Sequence, residues 1–449
     1  QVWLNGELLL STDNMFRSHC VDVSSRLRPE NELVIGFRSV TEALKKKRPR
    51  PRWKTNLVSN QQLRWLRTTL QGRVPGWSPP APAIGPWKPV RLETGPVTPK
   101  AVYLKSRLEG TTGIVTIDAS FLNDGTIQRG SIRVGSQVAP LHFEREISGF
   151  SIRGEIQIPE ARVWWPHTHG QPVLYNCELI LETEHSRHVI ACQTIGFRTR
   201  EVVTGINAEA SDDLFEVRIN GNTVFCRGAC WTVADILSLC GSEEQLRNDL
   251  TLARDAGVNM LRVGGTMVYE SDAFYRICDE LGILVWQDFM FANMDYPVDD
   301  EGFRSNIAAE VTEQLKRLSA HPCVAIYCGN SEIEQQAAML GMPREIWRNN
   351  WFAEQLPDLC QRLHPGTHYV PSTPCGGVLP FQPETGLTHY YGVGAYLRPI
   401  TDVRRSNVKF TPECLGFSNI PDASTIEAIC QGSHPVMHDP RWKRRVPRD

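Results

Sequence analysis

Two glutamates stand where a pair of carboxylates could act on a bound substrate. Glu332 follows the apolar run Cys323–Tyr327, in Cys328-Gly329-Asn330-Ser331-Glu332. Glu413 follows Val408–Phe410, in Phe410-Thr411-Pro412-Glu413-Cys414. Glycoside hydrolysis needs two such groups on separate strands. One carboxyl protonates the leaving oxygen and the other attacks the anomeric carbon. In a retaining mechanism the two sit about 5–5.5 Å apart. Glu334, two residues beyond Glu332, competes for the acid role. The pair is useful only if one fold delivers both to the same place.

From about residue 205 onward, apolar β runs alternate with helical stretches. Val224–Gly228 reads as a strand, and Glu243–Ala256 has helical apolar spacing. Asn259–Val263 is the next strand. Ser271–Leu281 is a helix with a Ser cap, stopped by Gly282. Ile283–Trp286 follows, then the helical stretch Ile307–Leu318, then Cys323–Tyr327. Thr367–Val370, Leu387–Tyr391 and Val408–Phe410 complete seven β runs. This order fits a (β/α)8 TIM barrel whose eighth strand is absent, with the active site at the C-terminal ends of the strands. A doubly wound sheet is the alternative, weakened by the lack of GxGxxG after the first strand.

The preceding half reads as β. Asn5-Gly6 between short apolar runs predicts a hairpin. The basic stretch from Lys45, rich in Pro and Trp as far as Trp87, reads as a solvated loop rather than a polyanion site. Between residues 100 and 200, strands recur every ten or so positions. They include Gly113–Ala119 and Val173–Leu179, with a turn at Asn123-Asp124-Gly125, and they suggest a β-sandwich.

Composition excludes several classes. Of 449 residues, 41% are hydrophobic and 22% charged, which is ordinary for a globular chain. The net charge of −2 gives no electrostatic case for nucleic acid or an anionic membrane. No apolar run is long enough for a membrane helix. The 13 cysteines are odd in number and irregular in spacing, with no CxxC. They read as buried thiols of a reducing, cytoplasmic compartment rather than a disulfide scaffold. No His/Asp/Glu cluster has ligand spacing along the chain, so neither metal nor cofactor is expected.

Several ordered segments resemble glycoside hydrolase family 2, in its β-mannosidase-like branch. Cys278-Asp279-Glu280-Leu281-Gly282-Ile283-Leu284-Val285-Trp286-Gln287-Asp288-Phe289-Met290-Phe291 is similar almost letter for letter to that branch's C-D-E-L-G-I-L-V-W-Q-D-F-M-F. His321-Pro322-Cys323-Val324 leading to Gly329-Asn330-Ser331-Glu332 resembles HPS-V/I…W-C-G-N-N-E. Asn259–Val263 with Gly264-Gly265 and Tyr269-Glu270 resembles N-M-L-R-V-W-G-G…Y-E. Gly228-Ala229-Cys230-Trp231 with Asp235 resembles G-A-N-W-x-P-x-D, and His389–Val393 resembles H-Y-W-G-V. Val2–Gly6 looks like the family's N-terminal jelly roll, and Ile195–Arg198 like the end of its immunoglobulin-like domain.

The resemblance implies a multidomain chain. Residues 1–95 would be part of a jelly-roll sugar-binding-like domain, 96–203 an immunoglobulin-like β-sandwich, and 204–449 an incomplete catalytic TIM barrel. The chain then reads as truncated at both ends. Glu332 would be the acid/base and Glu413 the nucleophile of a retaining exo-β-glycosidase, with a β-linked sugar such as β-mannoside as substrate. Tyr390 would donate a hydrogen bond to Glu413, and Arg262 would neutralise charge beside it. Trp231, Asp235 and Trp286 are sugar-pocket candidates, because aromatic faces cover the apolar faces of sugar rings. Asn330 is the substrate-binding candidate next to the acid/base.

Departures from the family pattern touch specificity. Ser331 stands directly before Glu332, where the family has an Asn that touches the sugar 2-hydroxyl, and Asn330 is one position early. The Trp of R-V-W-G-G is missing at Gly264, or the loop there is shorter. Gly416 comes one residue late in Cys414-Leu415-Gly416-Phe417. The W-D-W-G segment is absent, its region held by Arg73–Trp77 and Gly85–Pro89.

Overall fold

In the computed structural model, residues 1–449 are described except 75–77, 96, 123–126, 147–148, 205–214, 417–420, 433–438 and 444–449. The expected turn at Asn123–Gly125, the segment Pro75–Trp77 and Phe417 lie outside the described residues.

The Asn-Gly signal forms its hairpin. Val2–Leu4 pairs antiparallel with Glu7–Leu10, and Leu33–Ile35 joins the other edge of Val2–Leu4. Asn5 and Gly6 take φ of 53° and 84°, the left-handed pair that a tight two-residue hairpin requires.

The stretch after it is not a solvated loop throughout. Lys45, Lys46 and Lys47 are exposed, yet Trp53, Val58, Leu63 and Leu70 are buried in the core that underlies the C-terminal helices and strands. Arg67 is buried too and makes a two-pronged bond to buried Glu310 at 2.6 and 2.8 Å. Its basic residues thus include an exposed lysine run and arginines held by specific acceptors, among them Arg52, Arg64 and Arg67. Such pairing makes a buried guanidinium tolerable.

Residues 98–191 fold into one antiparallel seven-stranded sheet that curls over its own core. Gln137–Glu146 makes the turn between layers. Its first half pairs with Arg129–Val134 and its second half with Gly149–Ile158. Ile132, Phe150, Ile152, Leu179 and Leu181 are fully buried between the layers. The second expected strand, Val173–Leu179, starts later, at Cys177–Glu182. Val173–Asn176 is a connection, tied down by Tyr175, whose N–H donates to Ile195 O at 2.8 Å.

The first expected strand of the C-terminal part is also displaced. Val224 belongs to a hairpin with Phe215–Ile219, turned at Asn220-Gly221. The first parallel strand is Gly228–Trp231 instead, in register with Met260–Val263. Leu284–Asp288, Val324–Cys328 and His368–Val370 extend this parallel sheet in chain order. Leu387–Tyr390 and Phe410–Cys414 form a further parallel pair. The runs of fully buried residues in the middle strands are those of a sheet covered on both faces.

Helices alternate with these strands. Glu243–Asp255 is capped by Ser242, Asp272–Leu281 by Ser271, and Glu301–Leu318 by Asp300. The last begins six residues before the expected Ile307, because the Asp300 carboxylate accepts the Phe303 N–H at 2.9 Å. Its first turns carry a single large apolar residue, Phe303, so apolar spacing alone could not place its start. Gly282 takes φ 69° and ends the second helix, as its sequence position predicts. Among the described residues, no helix is long and apolar enough to cross a membrane.

Candidate active site

Parallel strands put successive C-terminal ends on one side of a sheet, and that side gathers the ionisable groups. Arg262 lies on Met260–Val263, Asp288 ends Leu284–Asp288, and Glu332 follows Val324–Cys328. His389 lies on Leu387–Tyr390 and Glu413 on Phe410–Cys414. Residues as far apart as 262 and 413 therefore meet.

Glu413 is gripped on both oxygens. Arg262 Nη1 donates to Oε1 at 2.7 Å, and the Tyr391 hydroxyl donates to Oε2. Burial by itself would raise this carboxyl. His389 and Arg262 beside it, with the hydrogen bonds from Tyr391 and Arg262, overcome burial and hold it well below the usual carboxylate range. Arg262 is itself held by Asp288 at 2.7 Å, by Thr373 Oγ1 at 2.7 Å and by Ser331 Oγ at 3.2 Å. Asp288 also accepts the Gly265 N–H and Trp286 Nε1. Arg262 therefore has the fixed planar bonding that a lysine could not reproduce.

Glu332 is 3% exposed and caps the helix Ile333–Met339 with a left-handed backbone, φ 62°. That conformation is costly for a residue with a Cβ, and the surroundings hold it. Its N–H donates to Thr373 O at 2.7 Å, and Ser331 N–H donates to Phe291 O at 2.9 Å. Its carboxylate receives His389 Nδ1 at 2.9 Å. The same Nδ1 lies 3.7 Å from Glu413 Oε2. Oxygens of Glu332 and Glu413 and a ring nitrogen of His389 all lie within 4.8 Å of one another.

Some sequence assignments change. Tyr390 does not reach Glu413; its hydroxyl donates to Asp402 Oδ2 at 2.6 Å, and Tyr391 takes the place expected for it. Side chains alternate along a strand, so His389 and Tyr391 share the face that points at the glutamates and Tyr390 does not. Asn330 is fully buried and serves the loop. It donates to Pro371 O and accepts from Ile333 N–H and Ser372 Oγ. Trp286 is 1% exposed and stacks on Phe410 in the interior, with centroids 5.7 Å apart. Asp235 is exposed and closes its own turn through Leu237 N–H and Ser238 Oγ. Trp231 is half-buried against Phe274 and donates to Glu270 at 2.8 Å.

His389, Tyr391 and Asp288 were missed as site residues. Period-two alternation through Leu387–Tyr391 was the available signal for the first two. For Asp288 the signal was its place at the end of a strand.

Folding also assembles what the chain order hides. Asp279, His321 and Cys323 form a second buried cluster with metal-ligand reach, but Asp279 already accepts from His321 Nδ1 at 2.5 Å and from Cys323 N–H at 2.9 Å. None of the 13 cysteines is joined in a disulfide.

Glu334 is buried in the first turn of its helix. Burial pushes its carboxyl up to about 7, against the pull of Arg348 and Arg344. The folded state therefore holds this proton more tightly than the unfolded chain. The contribution to stability is present below the ordinary glutamate value and is lost as pH rises from there through about 7. Glu334→Gln is expected to remove that loss, adding up to about 3 kcal/mol at pH 8 and little at pH 4. Urea unfolding at the two pH values measures it.

Residues 1–88 match the family described as the glycosyl hydrolase 2 galactose-binding domain-like. The chain is 30% identical over 417 residues to β-mannosidase B of Aspergillus terreus, covering 88% of this chain and 49% of that one. It is 30% identical over 423 residues to β-mannosidase B of Emericella nidulans, with the same coverage of 88% and 49%. It thus spans about half the length of the curated relatives it matches. Among solved structures it is similar to a β-D-mannosidase from Dictyoglomus thermophilum, with a TM-score of 0.82 and 30% identity over 95% of this chain and 53% of that one. On these likenesses, together with its ordered motifs, the chain is similar to glycoside hydrolase family 2, in its β-mannosidase-like branch.

Proposed function

We propose that this chain carries the catalytic machinery of a retaining exo-β-glycosidase that acts on terminal β-linked sugars. The observation that carries the reading is the approach of Glu332 and Glu413, whose oxygens come within 4.8 Å. This approach supports the retaining spacing of about 5–5.5 Å between carboxyl groups over the inverting one of about 6.5–9.5 Å, which admits a water. Glu413 is the nucleophile, anionic at neutral pH because Arg262 and Tyr391 hold its charge. It attacks the anomeric carbon while Glu332 gives its proton to the leaving oxygen. Water, deprotonated by Glu332, then releases the sugar. No metal or cofactor takes part in this scheme.

The architecture is read to match. The seven parallel strands and their helices belong to a (β/α)8 barrel comprising residues 204–449. Residues 96–203 make an immunoglobulin-like sandwich, supported by the curled seven-stranded sheet. Residues 1–95 belong to a jelly-roll domain. The irregularly spaced, largely buried cysteines support a cytoplasmic setting.

β-Mannoside is the first substrate to test, since the most similar proteins above are named β-mannosidases. The second reading keeps the machinery and changes the sugar to a glucosaminide, galactoside or glucuronide. What favours it is the loss of the W-D-W-G segment, the R-V-W-G-G tryptophan and the Asn before the acid/base. The inward engagement of Asn330 with Pro371 and Ser372 adds to this. A site that hydrogen-bonds a sugar hydroxyl discriminates through its buried partners. Losing two or three, at roughly 1–1.5 kcal/mol each, cuts preference by about 10²-fold. A panel of aryl β-glycosides is therefore expected to show β-mannoside preferred by no more than about 100-fold in kcat/KM over the best alternative. Exclusive hydrolysis of β-mannosides would show that other groups replaced the missing contacts. No turnover of any β-glycoside by the full-length protein would favour a carbohydrate-binding role instead.

A further inference from the structure

Three donors converge on the Glu332 carboxylate. His389 Nδ1 is 2.9 Å from Oε1, Gln335 Nε2 is 3.2 Å from the same oxygen, and Gln336 Nε2 is 3.4 Å from Oε2. Gln336 is steadied from the N-terminal part of the chain, where Thr55 Oγ1 donates to its Oε1 at 3.1 Å. The His389 side chain has no exposed surface, and its other ring nitrogen, Nε2, is buried with no hydrogen-bond partner among the described residues.

This environment chooses where the imidazole proton sits. Nδ1 faces two carboxylates, at 2.9 and 3.7 Å, and ionised carboxylates only accept. Nε2 has nothing to donate to among the described residues. The proton therefore belongs on Nδ1. A carboxylic acid has one hydroxyl oxygen and one carbonyl oxygen. An O–H on Oε1 would sit against two donors, at 2.9 and 3.2 Å, whereas on Oε2 it meets only the longer contact from Gln336, at 3.4 Å.

We propose that His389 is a positioning residue that donates Nδ1–H to Oε1 of Glu332 and thereby confines the catalytic proton to Oε2. This rests on the reading of Glu332 as acid/base. In the first half-reaction the Oε2–H bond breaks, and the proton passes to the leaving oxygen as the glycosidic bond opens. In the second, Oε2 takes a proton from water as the sugar ester is cleaved. The Nδ1 proton stays on His389 in both, bonded to an oxygen that never reacts. The other groups facing His389 are Glu413 and the Tyr391 ring, 6.2 Å away centre to centre, with Arg262, Asp288 and Cys230 behind Glu413. All remain in the variants below.

The experiment compares pH profiles of kcat/KM for His389→Asn, His389→Gln and His389→Phe in the full chain. Each is measured with one poor and one dinitrophenyl leaving group. Asn places an amide N–H near the position of Nδ1, while Gln places it near Nε2 and Phe has none. Anionic Glu332 loses a donor in the Phe and Gln variants. Their alkaline limb is expected to move up by about one pH unit. Their rate is expected to fall about tenfold or more on the poor leaving group and little on dinitrophenol. Asn is expected to restore both. If Phe does not fold, the Asn and Gln pair still decides. An alkaline limb unmoved in Phe or Gln, with equal losses on both leaving groups, reduces His389 to packing and overturns the proposal. Glu332→Ala, run on the same two substrates, separates the failures. If it shows no leaving-group dependence, the acid/base reading and this proposal both fall; if it does, the outcome for His389 stands alone.

Discussion

Glu413→Gln is expected to abolish turnover of every aryl β-glycoside, lowering kcat by at least about 10³-fold. The neutral amide cannot form the glycosyl ester on which double displacement depends. The change is nearly isosteric, so the loss should not come from misfolding. One bond does change character. Arg262 Nη1, 2.7 Å from Glu413 Oε1, would face an uncharged oxygen or an N–H. Asp288 would still pair with the guanidinium at 2.7 Å, which should keep the interior assembled. Thermal unfolding close to that of the parent protein, together with lost activity on all leaving groups, is the expected combination. A rate near the parent's would remove Glu413 from the mechanism.

Glu332→Ala should behave differently, because a general acid matters in proportion to how badly the leaving group needs a proton. Dinitrophenyl glycosides need none, and should still form the glycosyl–enzyme. Natural disaccharides should react slower by about 10²–10⁴-fold. Water then lacks its base, so the intermediate should accumulate and appear by mass spectrometry of the intact protein. Azide needs no deprotonation; it should speed breakdown and yield a β-glycosyl azide. Equal loss on all leaving groups, with no effect of azide, would move the acid role elsewhere. Glu334 would be examined first, since burial already pushes it up to about 7. Yet Glu334 does not share the cluster in which Glu332, His389 and Glu413 meet.

The sequence by itself determined which chemistry this chain could hold and much of what carries it. Asn5-Gly6 dictated a hairpin because a left-handed pair suits those two residues. Ser271 and Gly282 bracketed a helix because the hydroxyl satisfies a free N–H and glycine tolerates φ 69°. Runs such as Leu284–Asp288 announced buried parallel strands, and the glutamates were visible just beyond or within theirs.

Tertiary structure decided which side chains meet. Val224 was apolar enough for the first parallel strand, but the turn at Asn220-Gly221 drew it into a hairpin. Tyr390 and Tyr391 are chemically alike, and only strand orientation sends one hydroxyl to Asp402 and the other to Glu413. Asn330 looked like a sugar ligand until its amide was found bonded into its own loop. Arg67 sat in a basic stretch that suggested solvent, yet Glu310, 243 positions away, makes its burial possible. His389 gained a role only when folding set one ring nitrogen between two carboxylates and left the other with no partner among the described residues. Local propensities are properties of neighbouring residues and can be read in order. The charge and hydrogen-bond environment of a site comes from groups hundreds of residues apart, and exists only once the strands are placed side by side.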